Sequence, residues 1–415
     1  MKTAGRLRRR AALCGLALAA AFQPVACSPP PPAVDTGDPL LDRLLGPLAE
    51  HHPAVLADPA AYRFQLLLGV PVERDGVVVL ERHGFRVDAE YFYPASAIKT
   101  CGAVAALELL EELRARGVPA DETTPLVFHP LFADEVLEDG DPSNLDGGTI
   151  TVGHELRKLF LVSDNQAFNR LFELAGRRAV NEAMWRAGLA SARVRHRLDE
   201  PRTSEENRRS PRVDLLLPGG ALTISERTDD ELPPNDQPGL AAGRAHLRDG
   251  VRVEEPFDFT FKNRISLADL QDLDVLLLRP DLLPGRPPFR IDDARLDLIR
   301  QAMAELPRES ANPVYPAREF PDHFTKFLLP GLRRVVLPYR LRVSGKTGRA
   351  YGFTVENSYV VDRANTGRSY FLTAVLYTNP NQTLNDDDYA YEELADPFFT
   401  DLGEAAARAL LFPKR

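Results

Sequence analysis

Cysteine is scarce in this chain. Only three of 415 residues are Cys, and Cys14 and Cys27 fall near the start, so Cys101 stands alone in the body and a disulfide framework is excluded. Histidine is also sparse: the eight residues are scattered, with no pair at the spacing that holds a catalytic zinc and too few thiols nearby for a zinc cluster. There is no G-x-S-x-G elbow and no glycine-rich phosphate loop. No apolar run approaches the roughly 18 residues that a spanning helix needs. Positive charge is in deficit, with 51 Lys and Arg against 60 Asp and Glu. A net charge of −9 argues against a general nucleic-acid binder, because neutralising phosphates requires a basic face. The expectation is therefore no metal, no organic cofactor and no nucleic-acid partner.

What is present suits a globular protein: 44% hydrophobic and 27% charged residues over this length can bury at least one large core. At the start, Lys2, Arg6, Arg8, Arg9 and Arg10 precede the apolar run from Ala11 to Phe22, the pattern of an export signal over residues 1–26. That places the protein in the periplasm or cell envelope. Cys27 follows the small residues Val25 and Ala26 and precedes the proline-rich stretch Ser28 to Pro32. It resembles the lipid-acceptor cysteine of bacterial lipoproteins, with residues 27–38 as a stiff tether; the alternative is ordinary signal cleavage beside an incidental cysteine, since Pro24 stands where that family has leucine.

Residues 39–415 read as one domain. Leucines at helical spacing run through Pro39 to Ala57, and two strands, Arg63 to Val72 and Val77 to His83, flank Asp75-Gly76, a hairpin turn signal. A helix is predicted from Ala97 to Arg116, stopped by Gly117. Two or three more helices are expected from Thr149 to Gly188, with Thr151 as an N-cap. Three strands follow at Arg340 to Ser344, Phe353 to Val361 and Ser369 to Thr378, then a helix over Asp401 to Leu411. The fold class is α+β, an antiparallel sheet assembled from both ends of the chain, flanked by helices, with an inserted all-helical subdomain. The Gly/Pro/Asp-rich segment at about 218–263 reads as an insertion, a small β excursion at the surface rather than part of the chemistry.

Three short patterns carry the chemistry. Ser96-Ala97-Ile98-Lys99 opens the long helix, so a hydroxyl and an ammonium lie one turn apart on one face. Taken alone, this is an N-cap serine with a surface lysine. Ser163-Asp164-Asn165 lies within the helical block, and Lys346-Thr347-Gly348 on the first of the three late strands. SxxK, SDN and KTG in this order resemble the signature of class A β-lactamases and penicillin-binding proteins, the penicillin-recognising serine hydrolases.

That resemblance covers the chain from about Pro39 to its end and implies a β-lactamase/transpeptidase-like fold. It implies Ser96 as an acylated nucleophile, Lys99 as its base, and Ser163 as a proton relay. Asn165 would bond the substrate amide and Lys99, while Asp164 would hold its turn. Lys346 and Thr347 would bind a substrate carboxylate, and the backbone N–H groups of Arg349, beyond Gly348, and of Ser96 would form the oxyanion hole. Glu200-Pro201 occupies the place of the deacylating glutamate, although Ser204 stands where asparagine is expected and Asn207 is displaced. Glu356 and Asn357 stand where many class A enzymes place an arginine, and Arg349 is a substitute for it. The small-molecule partner is a β-lactam or a peptide-like compound. A cell-wall peptidase, transpeptidase or esterase, and a non-catalytic sensor, remain open beside β-lactam hydrolysis.

Overall fold

Side chains along the strand Gln65–Arg74 face two cores in turn, Leu66 and Leu68 in one and Leu67 in the other, and this period of two puts the sheet between two layers of helix. The computed structural model describes residues 35–364 and 367–412. The expected export signal, Cys27 and most of the tether lie outside the described residues. Asp38, at the tether's end, caps the first helix by accepting from the N–H groups of Leu40 and Leu41, and its other oxygen meets the His83 ring 2.6 Å away.

The main sheet is antiparallel throughout, in the order Leu341–Gly345, Phe353–Asp362, Ser369–Tyr377, Gln65–Arg74, Val77–Phe85, with the short strand Gly348–Ala350 also pairing with Phe353–Asp362. Gln65 pairs with Val375, so the sheet does join the two ends of the chain. The hairpin turn falls at Asp75 and Gly76, both in the left-handed region that a tight two-residue turn demands. On the outer face lie the helices Pro39–His51 and Asp396–Ala406, the latter beginning five residues earlier than its sequence pattern suggests. On the inner face lies the predicted helical block, Val152–Leu161, Asn165–Ala175 and Arg177–Arg186, with the Thr151 hydroxyl accepting from the His154 N–H.

Two helices went unforeseen, Leu267–Leu278 and Asp293–Ala304. The first is buried along most of its length, Gln271, Asp272 and Asp274 included, so it carries no amphipathic period to detect. It backs the sheet through polar contacts: Gln271 Nε2 donates to the Leu67 carbonyl, and Leu270 accepts from Asn357. The segment at 218–263 is a β excursion as expected, with Gly220–Ile224 returning on Val213–Leu217 and Ala245–Arg248 pairing with Val251–Val253 and, in parallel, with Thr383–Leu384. It is not confined to the surface, because Phe259 is fully buried and Phe261 and Lys262 reach the central cavity. Among the described residues no helix is long and apolar enough to cross a membrane.

In the outer layer two glycines let backbones touch. A Cβ on Gly331 would lie 1.7 Å from the Thr400 carbonyl oxygen, and one on Gly403 would lie 2.5 Å from that of Leu328. Gly331→Ala must push the Leu329–Leu332 turn off its neighbour, and a loss of about 1–3 kcal/mol is expected from such overpacking. Urea denaturation followed by circular dichroism checks this, and an unchanged midpoint would refute the close packing.

Candidate active site

The predicted helix at Ala97 begins instead as a tight 3₁₀ turn, Ala95–Ile98, and continues as the α-helix Lys99–Ala115. Residues three apart eclipse one another in a 3₁₀ turn, so Ser96 and Lys99 share a face more closely than in an α-helix. Ser96 is half-buried and lines a cavity of about 970 Å³, whereas Lys99 is fully buried at the head of the central helix. The turn is reached through Ala95, whose φ of 47° is left-handed. Ser163 (φ 59°) and Asp199 (φ 60°), on two other chain segments at the site, share that strained region.

Ser163 is the hub. Lys99 Nζ donates to its carbonyl oxygen, lies 3.3 Å from its hydroxyl, and donates to Asn165 Oδ1 at 2.7 Å. From the sheet side Lys346 Nζ donates to the same hydroxyl at 2.8 Å and to the Thr347 carbonyl at 2.7 Å. Asp164 stands between them in sequence as the N-cap of the Asn165–Ala175 helix, accepting from the Ala167 N–H. Burial depresses Lys99 to about 7, with Asp164 and Asp199 pulling weakly the other way. Burial, and then the charge of Lys99, drives Lys346 well below the ordinary lysine range. Two amines on one hydroxyl cannot both hold a charge cheaply in a dry site, so a proton gained by one is disfavoured on the other.

Gly348 closes the constellation. A Cβ there would meet the backbone nitrogens of Ser96 and Ala97 at 2.7 Å and the Pro94 carbonyl at 2.5 Å, so only glycine lets the Gly348–Ala350 strand lie against the helix start. Thr347 is buried beside it. The Arg349 side chain is not available to a substrate: its guanidinium donates to Asp396 and lies between the Phe327 and Tyr391 rings, 4.5 and 4.8 Å from their centroids. As a substitute for the missing arginine it is therefore already neutralised.

Glu200 lines the cavity with one oxygen bonded and the other, Oε2, without a hydrogen-bond partner among the described residues. Asn169 Nδ2 donates to Oε1 at 3.0 Å, and Oε2 sits 3.6 Å from Arg197 and 3.8 Å from Arg202. Burial raises its pKa, opposed first by Arg197. The carboxylate nearer the Lys99 network is that of Asp199, which accepts from Asn165 Nδ2 at 3.3 Å. Asn207 is turned into its own loop, donating to the Arg202 and Thr203 carbonyls and accepting from the Arg197 N–H. His196 is a loop residue: it bonds the Arg197 carbonyl, stacks on Tyr93, and is held down to about 3 by burial.

Sequence reasoning missed what lies behind Lys346. Lys326 is buried and donates to the Met303 carbonyl at 2.8 Å, and Glu356 is buried, accepting from Ser358 and from the Leu328 N–H. Burial lowers Lys326 to about 8 and raises Glu356 to about 7, and it drives Asp274, whose two oxygens have no partner, far upward. The available signal was Asp272 and Asp274 set among the leucines of the Leu267–Leu278 segment, both of which are buried. Asn357 is structural, accepting from Thr373 and donating to Leu270.

Residues 82–216 match the model of the Beta-lactamase enzyme family. A search of curated proteins by sequence finds no match. Among solved structures, the chain is similar to the β-lactamase of Sphaerobacter thermophilus (15% identity, TM-score 0.47, covering 90% of this chain and 98% of that one). It is also similar to a β-lactamase of Xanthomonas campestris (16%, TM-score 0.47, 90% and 98%) and to one of Burkholderia vietnamiensis (16%, TM-score 0.46, 88% and 95%). The matched family model spans Ser96, Lys99, Ser163 and Glu200 but ends before Lys346.

A base that must be neutral to work loses activity when it is protonated. If Lys99, depressed to about 7, is the base for Ser96, the rate of acylation at Ser96 should climb as pH rises through about 7 and then level off. Lys99→Arg, which stays charged, should lower it by about 10²–10⁴-fold at every pH. Stopped-flow acylation from pH 5 to 9 checks both, and a rate still climbing towards pH 10 would contradict the depressed lysine.

Proposed function

We propose that this protein is an exported serine hydrolase of the β-lactamase-like family that forms an acyl-enzyme on Ser96 from a β-lactam or a related amide or ester. The observation that carries the reading is the buried Lys99 amine, bonded to Ser163 and Asn165 and one 3₁₀ turn from Ser96. Lys99, neutral, takes the Ser96 proton as the hydroxyl oxygen attacks the acyl carbon. The negative oxygen that develops is met by the N–H groups of Ser96 and Arg349, brought together by the close approach of Gly348. A substrate carboxylate arriving at Lys346 and Thr347 favours the proton on Lys346, which in turn favours a neutral Lys99. Ser163, between the two amines, then passes a proton to the leaving group. No metal or organic cofactor is called for in these steps.

For β-lactam hydrolysis, Glu200 would activate the water that clears the acyl-enzyme. A second reading, a cell-wall peptidase, transpeptidase or esterase, is favoured by one observation: the carboxylate that bonds Asn165, next to Lys99, is Asp199 and not Glu200. Export, and attachment through a lipidated Cys27, belong to either reading and rest on the sequence pattern alone.

Hydrolysis of a chromogenic cephalosporin by the mature domain, with Ser96→Ala as the blank, separates the readings. Turnover that vanishes in the blank is expected for a β-lactamase, and Glu200→Gln should then slow it by about 10²–10⁴-fold and let a mass adduct on Ser96 accumulate. A stable adduct on the unaltered protein, without turnover, would assign the peptidase or esterase reading. No adduct and no turnover with any acyl donor would remove Ser96 as the nucleophile.

A further inference from the structure

The cavity beside Ser96 is lined by several cations, and all but one are already matched by carboxylates. Arg197 pairs with Glu173 at 2.5 Å, Arg202 with Asp134 and Glu135 at 2.9 Å, Arg195 with Glu231 at 3.7 Å, and Arg349 with Asp396. Lys262, within the segment read from sequence as a surface insertion, has no carboxylate within ion-pair distance among the described residues. Its ammonium is held instead over two aromatic rings, 5.5 Å from the centroid of Phe257 and 5.8 Å from that of Tyr351. The backbone beneath is pinned, with the Lys262 N–H donating to Phe259 and its carbonyl accepting from Asn235.

Position along the strand gives this ammonium a meaning. Lys346 and Thr347 precede Gly348, which touches the Ser96 nitrogen, whereas Tyr351 lies just past the other end of the Gly348–Ala350 strand. A lysine amine therefore stands on each side of the nucleophile, Lys346 buried and Lys262 in the cavity wall beyond Tyr351, and only the second is unspent. We propose that Lys262 is an anion-recognition residue: it selects acyl donors with a carboxylate at the far end of the acyl chain, on the side of Ser96 opposite Lys346. Lys262 is half-buried, which suits a wet anion rather than a buried ion pair, and Asp258 in the same cavity wall has one oxygen, Oδ1, accepting from the Thr260 N–H and hydroxyl.

This inference rests on the Ser96 acyl-enzyme reading, and its test keeps the two apart. Mono-p-nitrophenyl esters of glutaric, adipic and suberic acids are compared with methyl-terminated p-nitrophenyl esters of the same lengths. In each case the Ser96 oxygen bonds the acyl carbon, the ester C–O bond breaks, p-nitrophenolate leaves, and the hydroxyl proton passes to Lys99. The burst of p-nitrophenolate and the intact mass of the acyl-enzyme are the readouts. For at least one chain length the carboxylate ester should acylate about threefold to fivefold faster, the range of a solvated ion contact. Lys262→Met should bring the ratio to about one, Lys262→Arg should retain it, and rising salt should shrink it. A ratio near one at every length, or one that survives Lys262→Met, overturns the role of Lys262 while leaving Ser96 intact. Esters that acylate neither the unaltered protein nor the Ser96→Ala variant overturn the Ser96 reading and this inference with it.

Discussion

Everything at the site depends on keeping a lysine amine in a place too dry for its charge. Lys99 is fully buried at the head of the central helix, with three acceptors around its nitrogen and no carboxylate within ion-pair distance among the described residues. An ammonium there costs desolvation that no partner repays in full, so with its pKa lowered to about 7 the amine is present in both forms near neutrality and the neutral form gains as pH rises. A second buried amine, that of Lys346, comes to the same Ser163 hydroxyl from the opposite side. With two amines on one hydroxyl, a proton gained by one is disfavoured on the other.

The fold supplies the conditions for that arrangement. The sheet joined from both chain ends presents the Lys346-bearing strand, and the helical block presents Ser163 and Asn165. Gly348 lets strand and helix start meet at backbone distance, which no side chain would permit. The left-handed residues Ala95, Ser163 and Asp199 show where local backbone preference yields to the site. Behind Lys346, the buried Lys326, Glu356 and Asp274 extend the network of ionisable groups away from the cavity, so the charge on Lys346 is set from both sides.

Much of this was legible in the residues alone. The hairpin at Asp75-Gly76, the cap at Thr151 and the three late strands all appear where turn chemistry and β-branched runs placed them, because those signals are local. Ser96, Lys99, Ser163, Asn165 and Lys346 were recognised only as a set, since each alone has a bland explanation, and the structure brings them together. What escaped was long-range. The Leu267–Leu278 helix is buried all round and has no period to read, the commitment of Arg349 to Asp396 spans 47 residues, and Lys262 enters the cavity from a segment whose composition resembles surface loop. Nor could spacing show that Glu200 is held by Asn169 while Asp199 takes the place beside Asn165.

The central claim is that Lys99 is neutral when the protein works. The most direct test is nuclear magnetic resonance of the protein carrying ¹⁵N-labelled lysine, following the Nζ signal that disappears in Lys99→Met as pH is varied. A titration midpoint near 7 is the result expected from the buried amine. A midpoint near 10.4, the value of a lysine free in water, would mean that the amine is charged at neutral pH and that another group must take the Ser96 proton.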